Sequence, residues 1–141
     1  MEIPTKEDTV LPSSRLNELL AAAETSRNRA YAPYSQYRVG CAILGEDGVI
    51  YSGCNVENAS YGLAICAERN AISTMVANGC QRWLEAVVVT KDSGSPCGMC
   101  RQTLSEFAPD DAPAFVHCFD ENGNKLSHSI QELLPYAFKL K

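Results

Sequence analysis

Apolar and polar positions alternate along this chain with two distinct periods. Leu16, Leu19, Leu20 and Ala23 fall on one helical stripe, with Ser13 or Ser14 placed to cap it. Tyr31-Ala-Pro-Tyr-Ser then reads as a turn. Val39–Leu44 and Val49–Cys54 are short apolar or β-branched runs around Glu46-Asp47-Gly48, which predicts a hairpin. Helical spacing returns over Ala64–Asn78, with Gly79 as the residue just past its end. Leu84–Thr90 holds three consecutive valines and reads as a strand buried on both faces. Pro96 sits where a first-turn proline is tolerated, ahead of a helix over Cys97–Phe107. Ala114–Phe119 is a further strand, closed by Asp120-Glu-Asn-Gly. Lys125–Ser127 can pair as a short strand, and Ile130–Leu134 is a last short helix stopped by Pro135.

The order is therefore α-β-β-α-β-α-β-(β)-α. Two apolar strands follow helices, so crossovers and a layered α/β sheet are expected. No repeat, linker or low-complexity segment interrupts the 141 residues, and one domain is the natural reading. Residues 1–12 read as a loose tail and residues 13–141 as the folded domain.

Composition narrows the classes. Hydrophobic residues make up 45% and charged residues 21%, ordinary values for a globular protein. No apolar run approaches the roughly 20 residues of a membrane helix, which argues against a membrane partner. Met1–Pro12 is polar and has no apolar segment of the kind a secretory signal needs, so a cytoplasmic address is expected. The net charge is −5 and the Lys and Arg residues are dispersed, without the basic stripe that follows a phosphate backbone. A nucleic-acid substrate is not expected.

The seven cysteines are an odd number in a chain without a recognisable signal, which argues against a disulfide framework. Their spacing carries more. Cys97 and Cys100 in Pro96-Cys97-Gly98-Met99-Cys100 lie three apart, on one face at the start of a helix. Amide N–H groups and the helix dipole favour thiolates there. Alone, the pair fits half of a structural zinc site, a redox dithiol, or two ligands of a catalytic metal. A structural site needs four protein ligands, and no second C-x-x-C exists. Cys66 also opens a predicted helix, followed by Ala67-Glu68-Arg69. Two helix starts would thus present three thiolates and leave a fourth tetrahedral position open, the layout of catalytic zinc. Glu68 would stand beside that position as a proton carrier. Arg69, three residues after Cys66, could donate to the sulfurs.

Cys66-Ala67-Glu68 followed by Pro96-Cys97-Gly98-Met99-Cys100 resembles the signature of zinc deaminases. Three cysteines in place of one histidine and two resembles the compact, homotetrameric type of the cytidine and deoxycytidylate deaminase family. The likeness runs from Pro33-Tyr34-Ser35 through Glu132-Leu133-Leu134-Pro135 to Phe138. It implies a three-layer α-β-α domain with a mixed sheet of about five strands. It also implies one zinc per chain on Cys66, Cys97 and Cys100, with Glu68 catalytic. Asn55 and Glu57, in Asn55-Val56-Glu57-Asn58-Ala59-Ser60-Tyr61, match the family's ribose-binding segment. Tyr37 stands where the family usually has phenylalanine beside the pyrimidine ring, and Ala67 falls with the substrate-binding residues. Tyr61 and Phe138 would contribute across subunit interfaces of a homotetramer. The implied reaction is hydrolytic deamination of cytidine and deoxycytidine to uridine and deoxyuridine, with release of ammonia, in pyrimidine salvage. Other readings are a deaminase of a related nucleoside such as blasticidin S, a thiol-disulfide oxidoreductase, and a non-catalytic zinc protein. Cys41, Cys54, Cys80 and Cys118 are assigned to packing.

Overall fold

The structure is a computed structural model, and it describes residues 15–140. The N-terminal tail 1–12 and the capping serines Ser13 and Ser14 lie outside the described residues. Helix α1 (Leu16–Asn28) leads to strands β1 (Gly40–Gly45) and β2 (Ile50–Cys54). A 3-10 turn (Tyr61–Leu63) precedes helix α2 (Ala67–Ala77). Strand β3 (Trp83–Val89), helix α3 (Gly98–Glu106), strands β4 (Phe115–Phe119) and β5 (Lys125–Ser129) and helix α4 (Ile130–Leu133) complete the order.

The five strands form one sheet in the order β2-β1-β3-β4-β5. Among neighbouring strands only β3 and β4 are parallel, joined by the helical crossover α3, while α2 links β2 to β3 past the intervening β1. The pairs β1–β2, β1–β3 and β4–β5 are antiparallel. One face carries α1, with Leu19 and Ala23 packed on Ala42, Val87, Val89 and Phe119. The other face carries α2, α3 and α4 over Ile43, Trp83, Val88 and Val116, with Ile72, Met75 and Leu104 from the helices. This is the expected three-layer α-β-α arrangement with a mixed sheet.

Two glycines let helices approach the sheet closely enough to set the site. A Cβ on Gly40 would stand 1.9 Å from the Ala23 carbonyl oxygen, so α1 rests directly on β1. A Cβ on Gly53 would stand 2.6 Å from the Ala71 amide nitrogen and 2.8 Å from the Ala67 carbonyl oxygen. The first turn of α2 therefore lies on the end of β2, where Asn70 Nδ2 also donates to the Cys54 carbonyl at 2.8 Å. Trp83, fully buried on β3, donates its indole N–H to the Leu104 carbonyl at 2.8 Å and fixes α3 against the same sheet.

Element boundaries differ from the sequence reading where backbone pairing competes with helix period. The segment Ala64–Cys66 is extended, not helical, because Ile65 bridges Val56 through hydrogen bonds of 2.9 Å in both directions. Cys97 is the N-cap of α3, so Pro96 lies before the helix and not in its first turn. Strand β3 is not covered along its whole length: Leu84 is exposed, while Ala86 through Val89 are buried. Strand β5 extends two residues beyond the expected Ser127, to Ser129, whose hydroxyl caps α4 in a reciprocal box with Glu132.

Candidate metal centre and adjoining cleft

Cys66 and Cys97 are the N-cap residues of α2 and α3. Their carbonyls accept the first helical hydrogen bonds, from Asn70 N at 3.1 Å and Arg101 N at 2.9 Å. Neither sulfur caps its own helix, so both are free to face the gap between the two helix starts. Cys100, one turn into α3 and fully buried, completes the group. The Sγ atoms of Cys66 and Cys97 are 3.9 Å apart and those of Cys97 and Cys100 are 3.5 Å apart. All three sulfurs lie within 4.8 Å of one another. Thiolates at about 2.3 Å from a tetrahedral zinc stand about 3.8 Å from each other, so the donor set fits that ion.

The charges around the sulfurs reinforce this. The Cys66 thiol is drawn down to about 5, first by its hydrogen bond with Cys100 and then by Arg69. That bond, together with burial, pushes Cys100 in the opposite direction. Arg69 lies beside Cys66 and is coupled electrostatically to all three sulfurs, while its Nη2 donates to the Ala64 carbonyl at 3.1 Å. It lies on the α2 side of the cysteine cluster.

Glu68 follows one residue after the cap and is only 5% exposed. Burial raises its carboxyl to about 7, with the Cys66 charge adding to the effect. A carboxyl poised near neutrality can both take and return a proton, which an ordinary exposed glutamate does poorly.

The open side of the cluster is a cleft of about 320 Å³ lined by Ser35, Tyr37, Asn55, Glu57, Ala67 and Glu68, among others. Cys66 and Cys97 form part of its wall, at the end of β3 marked by Val88 and Thr90. The fold thus gathers Tyr37, Asn55, Glu57, Ala67 and Glu68 around one cavity. Glu57 accepts from the Tyr34 and Ser35 amides at 3.0 and 3.1 Å and forms a short bond with the Ser35 hydroxyl. These bonds, with the hydroxyl first, lower its carboxyl pKa and keep it ionised. Asn55 accepts from Val39 N and donates to the Tyr37 carbonyl, both at 2.8 Å. One amide hydrogen of Asn55 remains beyond that bond.

Two expected site residues are not in this cleft. Tyr61, 84% exposed, borders a neighbouring surface hollow with Tyr34, Glu57 and Asn58. Phe138, 69% exposed, lies on the far side near Arg82 and Glu106, its carbonyl accepting from Gln102. Sequence reasoning missed Ser35, which anchors Glu57, and Arg101. The Arg101 guanidinium holds the loop before Cys97 through the Pro96 carbonyl at 2.7 Å and the Ser95 hydroxyl at 2.9 Å. Its position directly after Cys100 was the available signal.

Comparison with known proteins gives the same assignment. The family model described as the cytidine and deoxycytidylate deaminase zinc-binding region matches residues 13–115. A cytidine deaminase of Sporosarcina psychrophila is 40% identical over 125 residues, covering 87% of this chain and 90% of that protein. One from Mycoplasma genitalium is 43% identical over 115 residues, covering 79% and 85%. The crystal structure of a cytidine deaminase from Burkholderia pseudomallei superposes with a TM-score of 0.80 at 40% identity, covering 87% of this chain and 98% of that one. The cysteine cluster at two helix starts, the buried glutamate beside it and these similarities agree, and the chain belongs to the cytidine and deoxycytidylate deaminase family, zinc-binding and hydrolytic.

Proposed function

We propose that this protein hydrolyses cytidine and deoxycytidine to uridine and deoxyuridine, releasing ammonia, as a step in pyrimidine salvage. The observation that carries the reading is the juxtaposition, in one cleft, of the three-thiol cluster, buried Glu68 and the Asn55–Glu57 pair. Cys66, Cys97 and Cys100 would hold the zinc, which when bound supplies Lewis-acid activation of water. Glu68 takes a proton from the attacking water and delivers it to N3 of the pyrimidine, then takes the proton of the new C4 hydroxyl and passes it to the departing amine. Water adds at C4, the C4–N bond breaks, and the products balance as uridine and ammonia.

Asn55 and Glu57 bind sugar hydroxyls, foremost the 3′-hydroxyl. An ionised Glu57 accepts from a hydroxyl and repels a phosphate, which supports a nucleoside over a nucleotide. Tyr37 gives the ring an aromatic face and Ala67 lies against the substrate. Residues 13–141 act as the catalytic domain. The exposed apolar side chains of Tyr61, Leu63, Tyr136 and Phe138 support a homotetramer in which Tyr61 and Phe138 reach neighbouring sites. No helix among the described residues is long and apolar enough to cross a membrane.

Ammonia release from cytidine, deoxycytidine, blasticidin S and cytidine monophosphate tests the reading. Turnover of the first two and not the last two is expected. Turnover of blasticidin S alone would move the substrate to that nucleoside, and release from none of the four would overturn the proposal.

A further inference from the structure

Tyr37 joins the two sides of the cleft. Its backbone belongs to the sugar side, where its amide donates to Ser35 Oγ at 3.0 Å and its carbonyl accepts from Asn55. Its hydroxyl reaches the other way and donates to Asp92 Oδ1 at 2.5 Å. Asp92 is not among the residues lining the cleft, but its partners Tyr37 and Thr90 are, and of these Tyr37 carries the aromatic ring.

The loop that carries Asp92 is built around this contact. Buried Thr90 donates to Asp92 Oδ1 at 3.3 Å, and its Oγ1 accepts from Asp92 N at 3.3 Å and Gly94 N at 3.0 Å. Ser93 adopts a φ of +56°, a left-handed conformation that a non-glycine residue takes only when its surroundings hold it there. A Cβ on Gly94 would lie 3.1 Å from the Tyr37 hydroxyl and 3.3 Å from Asp92 Oδ1, crowding both. The same loop runs on through Ser95 and Pro96 to Cys97. Where the family usually carries phenylalanine, this chain thus has a hydroxyl with a built-in partner.

We infer that Asp92 is a positioning residue for substrate binding, holding the Tyr37 ring through its hydroxyl at a set distance from the Cys97 side of the cleft. The inference rests on the reading that a pyrimidine nucleoside occupies the cleft. Asp92 contributes no atom to the reaction. Its loss frees the ring to rotate away from the base, which weakens binding and leaves the chemistry at Glu68 intact.

A double-mutant cycle on the zinc-loaded protein tests this, with cytidine as substrate and uridine as a competitive ligand. Asp92→Ala should raise KM for cytidine and the inhibition constant of uridine about tenfold, as for one lost charge-assisted hydrogen bond. The kcat value and zinc content should stay within twofold, about the scatter of such comparisons. Tyr37→Phe should weaken binding to a similar extent, because it keeps the ring but breaks the same bond. The double variant should be no worse than Asp92→Ala, since both changes break one bond. Asp92→Asn, which keeps an acceptor oxygen and the side-chain shape, should recover most of the loss and keeps the test open if the alanine variant does not fold. Unchanged KM in Asp92→Asn and Asp92→Ala, additive losses in the cycle, or zinc loss with a parallel fall in kcat would overturn the inference. A zinc-loaded wild type without cytidine turnover would instead remove the reading of the cleft, and this inference with it.

Discussion

The cysteine end of the cleft and the end that we assign to the sugar are built in opposite ways. Cys66, Glu68 and Arg69 come from one helix start, and Cys97 and Cys100 from another. Each group is set by local spacing, and the fold has only to bring two helix starts together. The sugar end uses a different construction. Tyr37, Asn55 and Glu57 sit on connecting segments, held by side-chain bonds that span sixteen to twenty-three residues of chain. On the proposed reading, chemistry is anchored on two helix starts, α2 resting on the sheet through Gly53, whereas recognition depends on loops tied to each other.

If this division is right, damage to the metal end removes turnover and damage to the sugar end alters selectivity. The largest expected effect is that of Glu68→Gln. General acid–base catalysis is worth about 10²–10⁴-fold, so kcat should fall by at least that range with zinc retained. Near-normal turnover would place the proton carrier elsewhere.

Arg69→Gln should act on the same end less severely. Removing a partner that orients and stabilises a ligand typically costs about 10–100-fold in metal affinity or activity. Faster loss of zinc to a chelator is the readout, and retention equal to wild type would show that Arg69 does not stabilise the thiolates.

At the sugar end, 3′-deoxycytidine should be the poorer substrate by roughly 1–3 kcal/mol in kcat/KM, from the polar groups of Asn55 and Glu57 left unsatisfied. Ser35→Ala should soften that discrimination a few-fold, because the Ser35 hydroxyl bond is one of those that fix the Glu57 carboxylate in place. Equal kcat/KM for cytidine and 3′-deoxycytidine would erase the distinction between the two ends.

The same contrast explains what could be read from the chain before the fold. C-x-x-C and Cys-Ala-Glu-Arg are spacings of three, and helical period alone puts their side chains together. The order of helices and strands was legible from the shift between the two apolar periods, and the three-layer arrangement from the family resemblance. Hidden features were those made by pairing across distance. The bridge between Val56 and Ile65 delays α2 until Ala67, although Ala64-Ile65 continues the helical pattern. Ser35 and Asp92 look like ordinary turn residues, and only the folded chain brings one to Glu57 and the other to Tyr37.

A contact at the opposite end of β1 and β2 sets the lower bound of effect. The Tyr51 hydroxyl donates to Asp47 Oδ2 at 2.5 Å in the hairpin. This bond lowers the Asp47 carboxyl from its ordinary value and raises the Tyr51 phenol to about 12. Its stabilising contribution is therefore full above the ordinary aspartate range and is lost as pH falls through the lowered Asp47 value. On the alkaline side it is full below the ordinary tyrosine pKa of about 10 and is lost as pH rises towards about 12. Asp47→Asn should flatten the acid edge of a thermal-unfolding profile slightly and leave cytidine kinetics unchanged. A kinetic effect there would show that the ends of the sheet are coupled.

The central claim is that the three thiols hold the metal on which turnover depends. Its most direct test is to follow zinc content and cytidine turnover on one preparation through chelation and re-addition of zinc. The account predicts one zinc per chain at full activity, activity falling in proportion to zinc removed, and recovery when zinc is restored. Full turnover in zinc-free protein, or no ammonia from cytidine at one zinc per chain, would contradict it.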